Sequence, residues 1–238
     1  MATQNLLPDP NHKITQSGDN ANTGTTGPGF ASVKFASNME IMRDRTNGGV
    51  LISRYKKYQM WNINITYNPM TRAEFDPVYG FLLQRQGSLQ PFKVSLPQYK
   101  DTSASNVAVE NRTSSDNDYT AGQSQLRIAT SSFTPSVGDL FHITDTSDSN
   151  HTKAYKVTRV ETTSSTLTDQ DETADDPASN IARITFTPPL QKGVDKSAST
   201  VNFSEPLVQV VQRGNVVEYS LGTNNLYEFS LNLEEACY

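Results

Sequence analysis

The side chains able to do chemistry are few, and their spacing does not assemble a reaction centre. Three histidines occur, His12, His142 and His151. His12 lies in a polar N-terminal stretch with no fixed partner in sight. His142 falls on an expected strand and His151 in the turn after it, with Asp145 and Asp148 near by. Imidazoles and carboxylates are zinc ligands, but zinc sites recruit three or four protein ligands, each oriented by further hydrogen bonds. The pattern reads as an ordinary exposed hairpin, and no metal is expected. The densest acidic run, Asp169-Gln170-Asp171-Glu172-Thr173-Ala174-Asp175-Asp176, lacks the turn glycine and ligand spacing of a calcium loop and reads as a solvated loop. Glu234 and Glu235 could supply paired carboxylates, yet neighbours on a strand point to opposite faces. Cys237 is the single cysteine, and its place beside Tyr238 argues against a nucleophile in a rigid pocket. No phosphate loop, dinucleotide fingerprint or nucleophile elbow occurs. The expectation is therefore no catalytic, cofactor-binding or metal-binding residue, no cofactor, and no enzyme.

The composition points the same way. Hydrophobic residues make up 35% and charged residues 19% of 238, leaving a chain dominated by Ser, Thr, Asn, Gln and Gly. Thr and aromatic residues suit pleated surfaces, and Asn and Gly suit turns, so a mainly β fold is expected. The net charge of −5, with no basic run longer than Lys56-Lys57, excludes a direct nucleic-acid binder, which needs a basic stripe. No apolar run approaches a membrane span, and the first residues lack the regions of a signal peptide. One cysteine forms no internal disulfide, which fits synthesis and folding in a cytoplasm.

The elements follow from periodicity. Residues 1–29 hold few large apolar groups and include the Gly/Asn/Thr tract Ser17 to Gly29, so a flexible N-terminal arm is expected. Its apolar Leu6, Leu7 and Ile14 suggest that it orders on a neighbour's sheet. Met39–Arg45 and Val50–Tyr55 flank Asn47-Gly48-Gly49, a hairpin signal. Trp61, Ile63, Ile65 and Tyr67 alternate with polar residues, the period of a half-buried strand. Thr71-Arg72-Ala73-Glu74 has capping-box form, and Phe75, Val78, Tyr79 and Leu82 make one helical face. Pro77 either kinks that helix or marks a later start capped by Asp76. Pro91–Pro97 is a short strand. Residues 98–124 shift to polar composition, and short strands follow at Leu126–Ala129, Asp139–Thr144, Ala154–Val160 and Ile181–Phe186. Leu207–Gln212 and Val216–Ser220 flank Arg213-Gly214-Asn215 and read as a tight hairpin. Tyr227, Phe229, Leu231 and Leu233 alternate with polar residues in a last strand. The simplest organisation is a discontinuous β-sandwich or barrel over 30–104 and 199–238, carrying one helix and interrupted by a small β-barrel module over 105–198.

The order of these elements resembles the lambda minor tail protein M family and the ring-forming domain of siphophage distal tail proteins. The resemblance is carried by Arg45-Thr46-Asn47-Gly48-Gly49, Trp61-Asn62-Ile63-Asn64-Ile65, Phe81 to Gly87, Phe92 to Pro97 and Tyr227 to Glu235. It covers roughly 30–100 and 201–238, and rests on order and spacing rather than on any invariant chemical motif. The middle section, with Val137 to Ile143, Tyr155 to Thr158 and Ile184 to Leu190, is similar to β modules inserted in phage tail proteins, some of them OB-like barrels. The resemblance implies a structural subunit of a virion tail tip or baseplate, made in the host cytoplasm. Its partners would be further copies in a homohexameric ring, the tail tube protein, and hub or baseplate proteins. The alternative is a host-surface carbohydrate-binding module, with Tyr99, Tyr119, Phe141 and Tyr155 as stacking surfaces.

Overall fold

A computed structural model describes residues 5–14, 22–23, 26–100, 104–110, 118–130, 133–146, 151–162, 181–214 and 217–237. The acidic run at 169–176 and Asp148 lie outside these residues. The chain divides into two compact units, one comprising residues 1–97 and 209–237 and the other residues 98–208. The fold is mainly β, as the composition implies.

Unit 1 begins with two short strands, β1 (His12–Lys13) and β2 (Asn22–Thr23), which pair antiparallel. Two long strands follow, β3 (Phe30–Arg45) and β4 (Leu51–Tyr67), paired antiparallel along their length with slips in register at Phe30/Ser32 and Met39/Ile41. The sequence reading split β4 at residues 56–60, but no Gly or Pro breaks it there. Helix α1 (Arg72–Gln84) starts at the Thr71 cap and continues through Pro77, so the later start at Asp76 is not used. Glu74 accepts hydrogen bonds from the Thr71 N–H and hydroxyl, both 2.9 Å. Its carboxyl is thereby held below the usual glutamate range, first by the backbone bond and then by the side-chain bond. Phe75, Val78, Phe81 and Leu82 are the buried face. Gln86 and Gly87, both at positive φ, turn the chain out of the helix, where glycine is the residue at least cost. Strand β5 (Phe92–Ser95) follows.

Unit 2 contains β6 (Val107–Ala108), β7 (Asp118–Tyr119), β8 (Gln125–Ala129), β9 (Leu140–Asp145), β10 (Ala154–Glu161), β11 (Ile181–Thr187), β12 (Val194–Asp195) and β13 (Ser199–Asn202). Six of these form one antiparallel sheet in the order β6-β13-β9-β10-β11-β8, and β12 pairs with β7. The closed OB-like barrel expected here is corrected to an open sheet. Its two outer strands are only two residues and five residues long. They meet through a single bridge, Val109 to Ile128, with the Glu110 N–H donating to the Arg127 carbonyl at 2.8 Å. Two residues of β6 are too few for a continuous closing ladder. The core is built on Phe141, Tyr155, Phe186 and Phe203, with ring centroids 5.2–5.5 Å apart.

The chain then continues with β14 (Leu207–Gln212), β15 (Tyr219–Leu221) and β16 (Tyr227–Glu235). The unit 1 sheet has the order β3-β4-β16-β14-β5, with β15 also on β16. A tight hairpin at Arg213-Gly214-Asn215 is therefore corrected: β14 and β15 do not pair with each other. Both run antiparallel to β16, β14 against Leu233–Glu235 and β15 against Tyr227–Phe229. A glycine turn signal marks an interruption in an edge here, not a reversal.

Candidate assembly surface

The proximal half of the β3–β4 hairpin is held by β16, which pairs with residues Asn62 to Thr66 of β4. There the period of two has its expected effect. Trp61, Ile63, Ile65 and Tyr67 are buried, and Trp61 stacks on Phe35 with ring centroids 4.5 Å apart. The Trp61 N–H donates to the buried Glu235 carboxylate at 3.1 Å. Glu234, facing the other way, is only half-buried, so the two carboxylates share no site.

Beyond the bulge at Met39/Ile41 no described strand pairs with the hairpin. Asn38 to Arg45 and Leu51 to Arg54 are exposed on both faces, leaving a two-stranded ribbon, a form of marginal stability in water by itself. The ribbon is nonetheless apolar at several positions: Ile41 is 42%, Met42 58%, Leu51 54% and Ile52 55% exposed. By the cross-strand register, Ile41 and Leu51 lie on one face and Met42 and Ile52 on the other. Thr46, whose hydroxyl accepts from the Val50 N–H at 3.1 Å, and Gly49 at φ 83° close the tip. Between Asn38 and Tyr58 the sequence carries basic Arg43, Arg45, Arg54, Lys56 and Lys57 against acidic Glu40 and Asp44. In a chain of net charge −5 the stretch 38–58 thus carries +3 and the remainder −8. Apolar groups exposed together on a protruding element mark an interaction surface.

The opposite edge of the same sheet is covered from within. Whereas the sequence reading placed residues 1–29 in a flexible arm, residues 5–14 are docked along β5. Leu6 bridges Lys93 in parallel sense, and the Leu7 N–H donates to the Lys93 carbonyl at 2.9 Å. Leu7 and Ile14 are buried. Asp9 and His12, both buried, close a turn, with His12 Nδ1 2.9 Å from each Asp9 oxygen. The Tyr67 hydroxyl donates to the Pro8 carbonyl at 2.7 Å. Burial, and next the charge of Asp9, raise the Tyr67 phenol well above its ordinary value. Gly27 passes so close to the Asp9 and His12 carbonyls that a Cβ there would collide with backbone. The arm thus finds its sheet edge in its own chain.

The remaining sequence candidates are dispersed. His142 Nδ1 accepts the Leu207 N–H at 3.2 Å, while His151 Nε2 lies 2.8 Å from the Tyr155 hydroxyl. Asp145 accepts a hydrogen bond from the Ser199 hydroxyl at 2.9 Å. Of the four stacking candidates, Tyr119, Phe141 and Tyr155 are buried in the unit 2 core. Tyr99 is half-buried and accepts a hydrogen bond from the Lys156 ammonium at 3.0 Å. Sequence reasoning misses the ribbon as a surface, although Ile41-Met42 and Val50-Leu51-Ile52 place apolar residues on both faces of the two strands.

No curated protein matches the chain. Residues 7–99 match the family model of the distal tail protein pb9, A domain, N-terminal. The matched stretch holds the docked N-terminal segment, the ribbon, helix α1 and β5. The resemblance to distal tail proteins is therefore supported over residues 7–99, the part of the chain that is similar to a phage distal tail protein family.

Proposed function

We propose that the protein is a ring-forming subunit that joins the tail tube to the hub or baseplate, and that it does this without chemistry. The observation that carries the reading is the exposed apolar ribbon of residues 38–54, set in the basic stretch 38–58. Its occupant is a second copy of this chain: a basic element seeks an acidic surface, and the body of the next copy supplies one. Because ribbon and receiving surface differ, the contact is heterologous, and such contacts close into a ring when the rotation allows. Six copies are the stoichiometry that the family resemblance suggests. Cross-linking of tails followed by mass analysis tests it. A sixfold species is expected with the wild type, and its loss is expected with the double variant Ile41→Asp and Ile52→Asp, whose isolated subunit keeps its melting temperature. Sixfold rings formed by that variant would exclude the ribbon as the joining element.

We propose further that a module is inserted into the ring domain and is wider than the expected 105–198, because the core around Phe141 also holds Ala104, Val201 and Phe203. A chain in which a Gly/Ser linker joins Pro97 to Gln209 should still unfold cooperatively. The carbohydrate-binding alternative loses support, since three of its four aromatic residues lie in that core.

A further inference from the structure

Unit 1 carries a second exposed apolar surface, beside α1. Phe75 is buried there under three tyrosines, with ring centroids 4.5 Å from Tyr227, 4.9 Å from Tyr219 and 5.3 Å from Tyr79. Tyr79 and Tyr219 meet edge to face at 5.5 Å. Around this cluster Leu83, Tyr219 and Leu221 are exposed, and Tyr79 and Tyr227 are half-buried. Leu83 lies one turn after Tyr79 on α1, and Tyr219 and Leu221 lie on one face of β15, so these side chains share one surface. The N-terminal arm docks elsewhere on the helix, where Pro8, Ile14 and Gly27 line a recess with Ala73, Pro77 and Val78.

This surface and the ribbon lie at opposite ends of one sheet. Strand β4 starts in the ribbon at Leu51 and ends at Tyr67, and just beyond that end the Met70 carbonyl accepts from the Tyr227 N–H at 2.8 Å. At ~3.3 Å per residue, β4 separates the two by roughly 50 Å. The ribbon therefore does not reach the tyrosines of its own chain, and its contact with those of the next copy would be head to tail and heterologous. The two surfaces also match in chemistry. By the cross-strand register, Arg43 and Arg45 share the ribbon face of Ile41 and Leu51, which carries no carboxylate, whereas Asp44 and Arg54 lie with Met42 and Ile52 on the other. The segments that carry the tyrosines are acidic, with exposed Glu74, Asp76, Glu218 and Glu228 against Arg72. Arginine is attracted to tyrosine rings as well as to carboxylates, and both Arg and Tyr are enriched where proteins meet. We infer, on the reading that the ribbon joins copies, that its Ile41–Leu51 face docks on the surface of Tyr79, Tyr219 and Leu221 in the next copy. Ile41 and Leu51 then cover the apolar groups, and Arg43 and Arg45 meet the tyrosine rings and the carboxylates at their rim.

The test places the photocrosslinker benzoylphenylalanine at Leu51 in one preparation of assembled tails and at Ile52, on the other ribbon face, in a second. After irradiation, the species of twice the subunit mass is digested and its linked peptides are identified by mass spectrometry. The Leu51 probe should link to residues 72–84 or 219–227 at least tenfold more than the Ile52 probe. Independently, Leu83→Asp combined with Leu221→Asp should reduce the sixfold species at least tenfold. The isolated subunit should keep its melting temperature in that variant, since both side chains are exposed. Links from Leu51 to any other region, or none, would overturn the receiving surface while leaving the ribbon as the joining element, as would undiminished rings in that variant. Rings that persist in Ile41→Asp with Ile52→Asp would instead remove the ribbon reading itself, and the docking with it.

Discussion

The two halves of the β3–β4 hairpin share one pair of strands and one ladder, yet only one half is buried. In the proximal half the side chains at Trp61, Ile63 and Ile65 are at most 3% exposed. In the distal half Ile41, Met42, Leu51 and Ile52 are 42–58% exposed. Strand-forming residues occur in both, so local propensity does not separate them. What separates them is β16, which pairs with Asn62 to Thr66 and stops short of the distal half. Strand pairing makes a ribbon, and a third element makes a core. For the distal half that third element is, on the proposed reading, another subunit.

The comparison breaks first at Trp61. Trp61→Ala removes a buried ring stacked on Phe35 and should cost about 3–5 kcal/mol in urea unfolding. A loss under about 1 kcal/mol would mean that the proximal half is no more a core than the distal one.

Tyr67→Phe sharpens the proximal side at smaller scale. It removes the bond to the Pro8 carbonyl and should cost about 1 kcal/mol. The phenol is raised in the fold, so its stabilisation is complete below the unfolded tyrosine range near ~10 and is lost as pH rises toward the folded value. Alkaline unfolding curves should therefore fall more steeply for the wild type than for the variant. Parallel curves would show that the phenol is solvated.

Glu74→Gln should have a smaller effect still, because the cap is exposed. The carboxyl is lowered in the fold, so its contribution is complete above the unfolded glutamate range and is lost as pH falls through the folded value. The melting-temperature gap between wild type and variant should close on acidification; a gap that persists would assign it to packing. Smallest of all, Ile52→Ser should change the stability of the isolated subunit by no more than about 0.5 kcal/mol. A larger loss would place Ile52 in a core after all.

Much of this was legible in the residues. The alternation from Trp61 to Tyr67 and from Tyr227 to Leu233 gave both central strands, since a period of two reports a half-buried face directly. The helix was readable from Thr71 and Glu74, although Pro77 obscured its start: the proline sacrifices one helical hydrogen bond, and the buried face around Phe75 and Val78 outweighs that loss. Less was legible where the decisive partner is remote. Leu7 and Ile14 are two apolar groups in a polar stretch, and nothing local says that Lys93 and Tyr67 await them. Arg213-Gly214 has turn chemistry, but whether a strand then reverses or resumes is decided by β16.

The place of β16 in the middle of its sheet has a consequence for biosynthesis. A ribosome delivers β3, β4, α1 and β5 early, then all of residues 98–208, and only afterwards the strand that joins β4 to β14. At ~5–20 residues per second, the first half of unit 1 waits several seconds with the edge of β4 from Asn62 to Thr66 unpaired, while the sheet of unit 2 already has its strands. The order of folding on the ribosome is therefore the reverse of the order of the two units' first residues. During that interval the nascent chain is a client for whatever shields exposed strand edges in the cell that makes it.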